Sequence, residues 1–380
     1  MPASCRTGSL DNDPPRTVGL GFHLARSRDE GCIPFVSAEL APAIQVRDLR
    51  KTYSVPEREG GVRAALVSLV QRKNREVAAV AGVSFDVPRG EIVGFLGPNG
   101  AGKTTTLKML AGLLHPTSGE VSALGHVPWR RENDYLRRMT LVMGQRNQLA
   151  WDIPVVDSFE LNRAIFRIPA DHFRRVVAEM TELLDLGELL KKPVRNLSLG
   201  ERMKCEIAGS LLHQPEVLFL DEPTIGLDVT MQRRIRGFIA AYNQRHGATT
   251  LLTSHYMADV EALCRRVVVI HQGRLLYDGE LSGLVDRFSP FKTIVVDFAS
   301  DPEFADGQLA GIVGVDGEIV SQTDGRLTLR VPKARTAQIT GQLLAQLPIA
   351  DLTVEEPPID EVIERVFAGE AREAEAVPAA

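Results

Sequence analysis

Gly97-Pro98-Asn99-Gly100-Ala101-Gly102-Lys103-Thr104 follows the apolar run Ile92-Val93-Gly94-Phe95-Leu96 and precedes apolar residues at Leu107, Leu110, Leu113 and Leu114. Strand, glycine-rich turn and helix in that order make a phosphate-cradling P-loop. The glycines let backbone N–H groups approach phosphate oxygens, and the helix N-terminus adds partial positive charge. Lys103 at its end would reach the β- and γ-phosphates, the Thr104 hydroxyl would serve Mg2+, and Thr105 continues the same segment. The pattern predicts a strand over 91–96, a helix over 105–114, and a site for a nucleoside triphosphate.

Outward from this stretch, residues 140–143, 217–220 and 249–253 also read as buried strands, alternating with amphipathic helical segments from Ala43 to about Phe288. That alternation predicts an α/β domain with a largely parallel sheet. Each strand ends on a chemistry-capable residue: Lys103 after its loop, Gln145, Asp221 with Glu222, and His255. Ligands of open parallel sheets bind beyond the carboxyl ends of the strands, where all four would converge.

Val217-Leu218-Phe219-Leu220 ends in the paired acids Asp221 and Glu222, followed by Pro223. This has the form of a Walker B element, in which Asp221 would hold Mg2+, directly or through water. Glu222 stands where a general base could polarise the attacking water. Leu197-Ser198-Leu199-Gly200-Glu201 comes shortly before it and leads into a helix read over 202–213, with Ser198 able to cap the helix N-terminus.

P-loop, Gln145, a Leu-Ser-x-Gly segment, Leu-Asp-Glu-Pro, Gly226-Leu227-Asp228 and His255 stand in the motif order of ABC transporter ATPase subunits, and residues 43–288 resemble that family. Within it the chain is most similar to cassettes that drive type-2 exporters, including those for drugs or cationic toxins. The resemblance implies a P-loop ABC cassette with a mixed sheet, an antiparallel edge and a helical subdomain at about 146–215. It implies ATP and Mg2+, with Tyr53 stacked on adenine and Gly97, Pro98, Asn99, Gly100, Ala101, Gly102, Lys103, Thr104 and Thr105 around the phosphates. Gln145 would touch Mg2+ and the lytic water, and His255 the γ-phosphate. Two cassettes would pair head to tail, a homodimer satisfying this by symmetry. Ser198, Gly200, Glu201 and Asp228 of one copy would then face ATP held by the other, beneath a transmembrane permease at the inner face of the membrane. Leu199 and Glu201 replace a glycine and a glutamine of the usual motif, so that Leu199 would crowd the loop and Glu201 would bring negative charge toward phosphate. Translation-type and DNA-repair ATPases of the same superfamily are the competing class; they usually carry tandem cassettes or a long inserted coiled coil, and one P-loop is present here.

The bulk numbers agree with a globular chain: 380 residues, 44% hydrophobic, 24% charged. A net charge of −5 gives no support to nucleic-acid binding. No apolar run approaches the roughly eighteen residues that span a bilayer. Cys5, Cys32, Cys205 and Cys264 show no metal or redox spacing and read as reduced thiols. Residues 1–42 lack the apolar core of a secretory signal, and either a disordered leader or a misplaced start codon fits them.

Three further segments carry expectations. Residues 62–77 read as an amphipathic basic helix, for which a membrane or partner contact and a solvated face packed on the cassette fit equally. Trp151, in the segment after Gln145, suits either a hot spot for the permease or internal packing. Residues 289–368 read as a small α+β accessory domain: strands over 293–298, 312–320, 326–331 and 352–355, helices over 334–347 and 359–367, then a frayed tail, 369–380.

Overall fold

The computed structural model describes residues 41–56, 74–144, 148–298, 317–323, 325–357, 359, 361–363 and 367. It begins with β1 (Ile44–Pro56) and β2 (Asn74–Val87), followed by β3 (Ile92–Leu96), α1 (Lys103–Leu110), β4 (Ser118–Ala123), α2 (Asn133–Arg138) and β5 (Met139–Met143). Three helices come next: α3 (Val155–Phe166), α4 (Ala170–Leu184) and α5 (Leu199–Leu211). The chain then alternates through β6 (Val217–Asp221), α6 (Val229–His246), β7 (Thr249–Thr253), α7 (Met257–Leu263), β8 (Arg266–His271), β9 (Arg274–Glu280) and α8 (Leu281–Phe288).

Among the described residues, six strands form a mixed sheet in the order β5-β6-β7-β3-β8-β9. Every neighbouring pair is parallel except β8 with β9. A second sheet, β2-β1-β4, is antiparallel. The central strands are mostly apolar or β-branched, as suits strands buried on both faces; β6, which ends in Asp221, and β7 are buried at every position. Their alternation feeds two layers. Val217, Phe219, Val93 and Phe95 pack with Leu107 and Leu110 of α1 and with the antiparallel sheet. Leu218, Leu220 and Leu252 point the other way, into Phe159, Met180, Ile235 and Phe238 of the helical layer. In α4 the buried residues Phe173, Val176, Met180 and Leu184 recur at spacings of three and four, which aligns them on one stripe.

Beyond α8, β10 (Phe291–Phe298), β11 (Glu318–Thr323), β12 (Arg326–Pro332), α9 (Thr336–Gln346) and β13 (Ile349–Glu355) build an antiparallel sheet in the order β11-β12-β10-β13. Ile339 and Leu343 of α9 cover Ile294, Val296, Leu327, Leu329 and Val331 in a core of its own. The chain then returns to the first body: Ile363 is buried in the helical-layer core, and Ile359 and Phe367 pack against it.

Several expected boundaries move. The helix after the P-loop starts at Lys103 and ends at Leu110, because Gly112 at φ 69° turns the chain. The helix expected from 202 starts at Leu199 on a Ser198 cap. Residues 74–77, expected as the end of a basic helix, are strand: Arg75, Glu76 and Val77 pair with Val55, Ser54 and Tyr53 of β1. The rest of that helix, residues 1–40 and 312–316 lie outside the described residues, and strand β11 runs three residues beyond the expected end at 320.

Candidate nucleotide site

The carboxyl ends of β3, β5, β6 and β7 border one cleft of about 450 Å3, lined by Asn99, Thr104, Lys108, Met143, Gly144, Asp221, Glu222, Ile225 and His255. Its floor is the P-loop. Gly102 sits at φ 106° at the start of α1, and a Cβ there would lie 2.4 Å from the Ala79 carbonyl oxygen. Only glycine permits this left-handed backbone pressed against β2. Lys103 is buried, its Nζ donating to the carbonyls of Gly97 at 2.6 Å and Pro98 at 3.2 Å. Burial lowers its pKa, while Glu222 and Asp221 act to raise it.

Thr104 Oγ1 donates to Asp221 Oδ2 at 2.9 Å, and Thr253 Oγ1 donates to Asp221 Oδ1 at 2.8 Å. Two chain segments separated by more than a hundred residues thus present oxygen donors to the same point. Hard oxygen ligands of this kind suit Mg2+, which keeps phosphate and water in its remaining positions. No cluster of three or more His, Cys, Asp or Glu side chains able to hold a metal occurs among the described residues.

Glu222 adopts φ 54°, a left-handed backbone uncommon outside glycine and costing on the order of 1–3 kcal/mol. Its N–H is held by the Thr253 carbonyl and hydroxyl, both at 3.1 Å. The turn sends consecutive acids apart. Asp221 meets Thr104, whereas Glu222 Oε1 lies 2.8 Å from His255 Nε2. With the carboxylate ionised, that imidazole nitrogen carries the proton and donates. Gly144, at the tip of β5, touches this turn closely; a Cβ there would lie 2.2 Å from the Glu222 carbonyl oxygen. Gln145, the next residue, lies outside the described residues.

The Ser198 segment is built differently. Ser198 Oγ accepts from the Glu201 N–H, and Glu201 Oε2 accepts from the Ser198 N–H at 2.9 Å, a reciprocal capping box on α5. The expected charge of Glu201 is therefore folded back onto its own helix end, with Lys192 Nζ 3.8 Å from its other oxygen. Those Ser198 hydrogen bonds hold its pKa below the ordinary carboxylate value. Leu199 is 40% exposed and borders Gly226 of the same chain. None of residues 198–201 lines the cleft. Asp228 caps α6 through the Met231 N–H at 2.9 Å, and Tyr53 is 38% exposed on β1 beneath the Lys51 ammonium. Trp151 is 44% exposed, with the Arg202 guanidinium over its ring, so internal packing does not describe it.

Thr253 and Glu206 are among the supporting residues that the sequence does not single out. Thr253 braces Asp221, and its position as the last residue of a strand adjacent to β6 was the available signal. Glu206 is buried, accepting from the backbone N–H groups of Gln148 at 2.8 Å and Leu149 at 3.2 Å, with burial raising its pKa. It ties the irregular segment at Gln148 and Leu149 to α5. A glutamate inside a helix carries no local sign of such a distant partner.

Comparisons with known proteins agree with this geometry. A family model described as ABC transporter matches residues 80–225, and one described as EvrA-like ABC transporter, C-terminal domain, matches 290–355. The ABC transporter ATP-binding protein NatA of Bacillus subtilis (strain 168) is 32% identical over 216 residues, covering 57% of this chain and 87% of NatA. The Nod factor export ATP-binding protein I of Burkholderia orbicola (strain AU 1054) is 38% identical over 222 residues, covering 57% of this chain and 71% of that protein. Among solved structures, an ATP-binding subunit of an ABC transporter superposes with TM-score 0.53 at 25% identity, over 65% of this chain and 93% of that one. A dimeric post-hydrolysis state of the ATP-binding cassette MJ0796 bound to ADP and Pi matches with TM-score 0.52 at 22% identity, over 63% and 98%. No helix among the described residues is long and apolar enough to cross a membrane.

Proposed function

The chain belongs to the family of ABC transporter ATP-binding subunits, and from that membership we propose that it hydrolyses ATP in paired cassettes beneath a separate membrane permease, driving export. The observation that carries the hydrolytic reading is the divergence of Asp221 and Glu222, the first to Thr104 at 2.9 Å and the second to His255 at 2.8 Å. One strand tip thereby serves both the cation side and the water side of a phosphoryl group.

In this reading the P-loop backbone from Gly97 to Gly102 and the Lys103 ammonium receive the β- and γ-phosphates. The Gly97 and Pro98 carbonyls that now hold Nζ are exchanged for phosphate oxygens. Thr104 and Asp221, with Gln145 next in sequence after Gly144, would hold Mg2+, and the ion would supply neutralisation of charge on the phosphate oxygens. Glu222 accepts a proton from water as the water oxygen attacks the γ-phosphorus and the bond to the ADP oxygen breaks. His255 donates to Glu222 and fixes its direction; it stands close enough to the cleft to contact the γ-phosphate. Tyr53 offers an exposed ring to adenine.

In this reading two copies pair, and Ser198, Gly200 and Asp228 of one would complete the site of the other. The name of the Nod factor relative supports export, and the exposed Trp151–Arg202 pair supports a permease contact on the helical layer. We divide the chain accordingly into a motor, residues 43–288, and an accessory body, residues 289–368, whose last segment, with Ile359, Ile363 and Phe367, packs into the motor's core. The test is ATP turnover by the purified protein alone and with a co-purified permease. Glu222→Gln is expected to retain ATP binding and lose about 100-fold or more in kcat. Turnover by that variant at the parent rate would remove Glu222 from the role of base.

A further inference from the structure

Behind the cleft, two segments that border it and the helix α6 meet on a single carboxylate. Asp259, in the first turn of α7, is 1% exposed. Its Oδ1 accepts from Arg236 Nη1 of α6 at 2.6 Å. Its Oδ2 accepts from the Ser254 hydroxyl at 2.8 Å and the Thr224 hydroxyl at 2.5 Å. Ser254 immediately precedes His255, and its Oγ also accepts the Tyr256 N–H at 3.0 Å, so the peptide is held on both sides of the histidine. Thr224 lies two residues beyond Glu222 in the turn that leads to Asp228; the Thr224 carbonyl accepts from the Leu227 N–H at 3.2 Å. Arg236 stands on the helix that Asp228 caps.

A buried ion pair is a poor source of net stability, because desolvating two charges offsets their attraction, and apolar residues of similar volume often serve as well. Its distinctive effect is geometric: every partner must sit where the charges require. Here the partners are not one helix and another but the turn after Glu222, the residue before His255 and the helix after Asp228. The contact between Glu222 and His255 depends on how that turn and that loop sit relative to each other, and Asp259 is the group that joins them from behind.

We propose that Asp259, through Thr224 and Ser254, is a positioning residue for ATP hydrolysis, holding the His255 loop and the turn toward Asp228 in one register so that phosphate in the cleft moves both together. This rests on the hydrolytic reading above. Asp259 itself faces protein on both oxygens and touches no substrate.

The experiment compares Thr224→Val with Thr224→Ser in the full-length protein, measuring kcat, KM and affinity for a fluorescent ATP analogue. Valine keeps the volume, removes the hydroxyl and leaves the Arg236–Asp259 pair in place; serine keeps the hydroxyl. The valine variant is expected to lose about tenfold in kcat or more, with KM and nucleotide affinity within about twofold of the parent, and serine to restore most of the loss. Asp259→Asn is expected to lose about a hundredfold in kcat with the same split. If Asp259→Asn fails to fold, the valine–serine pair decides alone. Equal kcat for valine and serine, or a fall in kcat matched by an equal loss of nucleotide affinity, overturns the proposal. An inactive parent, indistinguishable from Glu222→Gln, would instead overturn the hydrolytic reading, and this inference with it.

Discussion

Helices α1 and α5 both start at glycine-containing motifs, and they start in opposite ways. α1 begins at Gly102 with no side-chain cap, in a left-handed turn against β2, so its first N–H groups are left for an external anion. α5 begins in a complete capping box in which Ser198 and Glu201 satisfy each other's backbone donors. The first end is prepared for a ligand before the ligand arrives. The second is stable by itself, and an external phosphate must exchange hydrogen bonds with groups already engaged. On the proposed pairing, binding by one chain and closure by two chains would draw on separate structural reserves.

That contrast can be broken most severely at its open end. Lys103→Ala is expected to reduce ATP turnover by about 100-fold or more, read in a phosphate-release assay, with nucleotide affinity falling too. Gly102→Ala should come next: the added Cβ meets the Ala79 carbonyl oxygen at 2.4 Å in a positive-φ turn. A loss of about 1–3 kcal/mol in a urea denaturation curve is expected, together with about tenfold weaker nucleotide binding. Unchanged stability there would mean that β2 moves aside and that the loop is not held by close approach.

The closed end should respond more gently and in a different observable. Ser198→Ala removes the cap and should cost about 1 kcal/mol of stability. It should leave nucleotide affinity of the single chain unchanged while lowering turnover, which separates closure from binding. Glu201→Gln keeps an oxygen that can accept from the Ser198 N–H, so turnover within about threefold of the parent is expected. It should differ in pH dependence. The Ser198 hydrogen bonds hold the folded pKa of Glu201 below the ordinary glutamate value, so its contribution is fully present above that ordinary value and lost as pH falls through the lower folded pKa. The glutamine variant should lack that component when denaturation midpoints at about pH 3 and pH 7 are compared.

Much of the nucleotide site was legible because it sits at the ends of short apolar strands, and each strand announces its end with a polar residue. Asp221, Glu222 and His255 needed only the inference that parallel strands share an edge. At Glu201 a local rule was also legible: serine followed three residues later by glutamate is a capping signature, and it accounts for where the carboxylate rests in the single chain. Residues 74–77 were misread. Their spacing fits a helix, but Val77, Glu76 and Arg75 are claimed by the cross-strand partners Tyr53, Ser54 and Val55, a pairing that no local window contains. Glu206 and Asp259 belong to the same class, since burial and partners far along the chain define them.

Ile363 and Phe367 come after the whole antiparallel sheet, yet they finish the interior of the body that the chain leaves at the end of α8, Phe288; Phe367 lies over the His271 ring at 5.6 Å. During synthesis, the motor therefore waits with an unsealed seam until nearly all of the accessory body has left the ribosome. A shortened chain ending at α8 would carry every nucleotide-binding motif and still present raw hydrophobic surface to water.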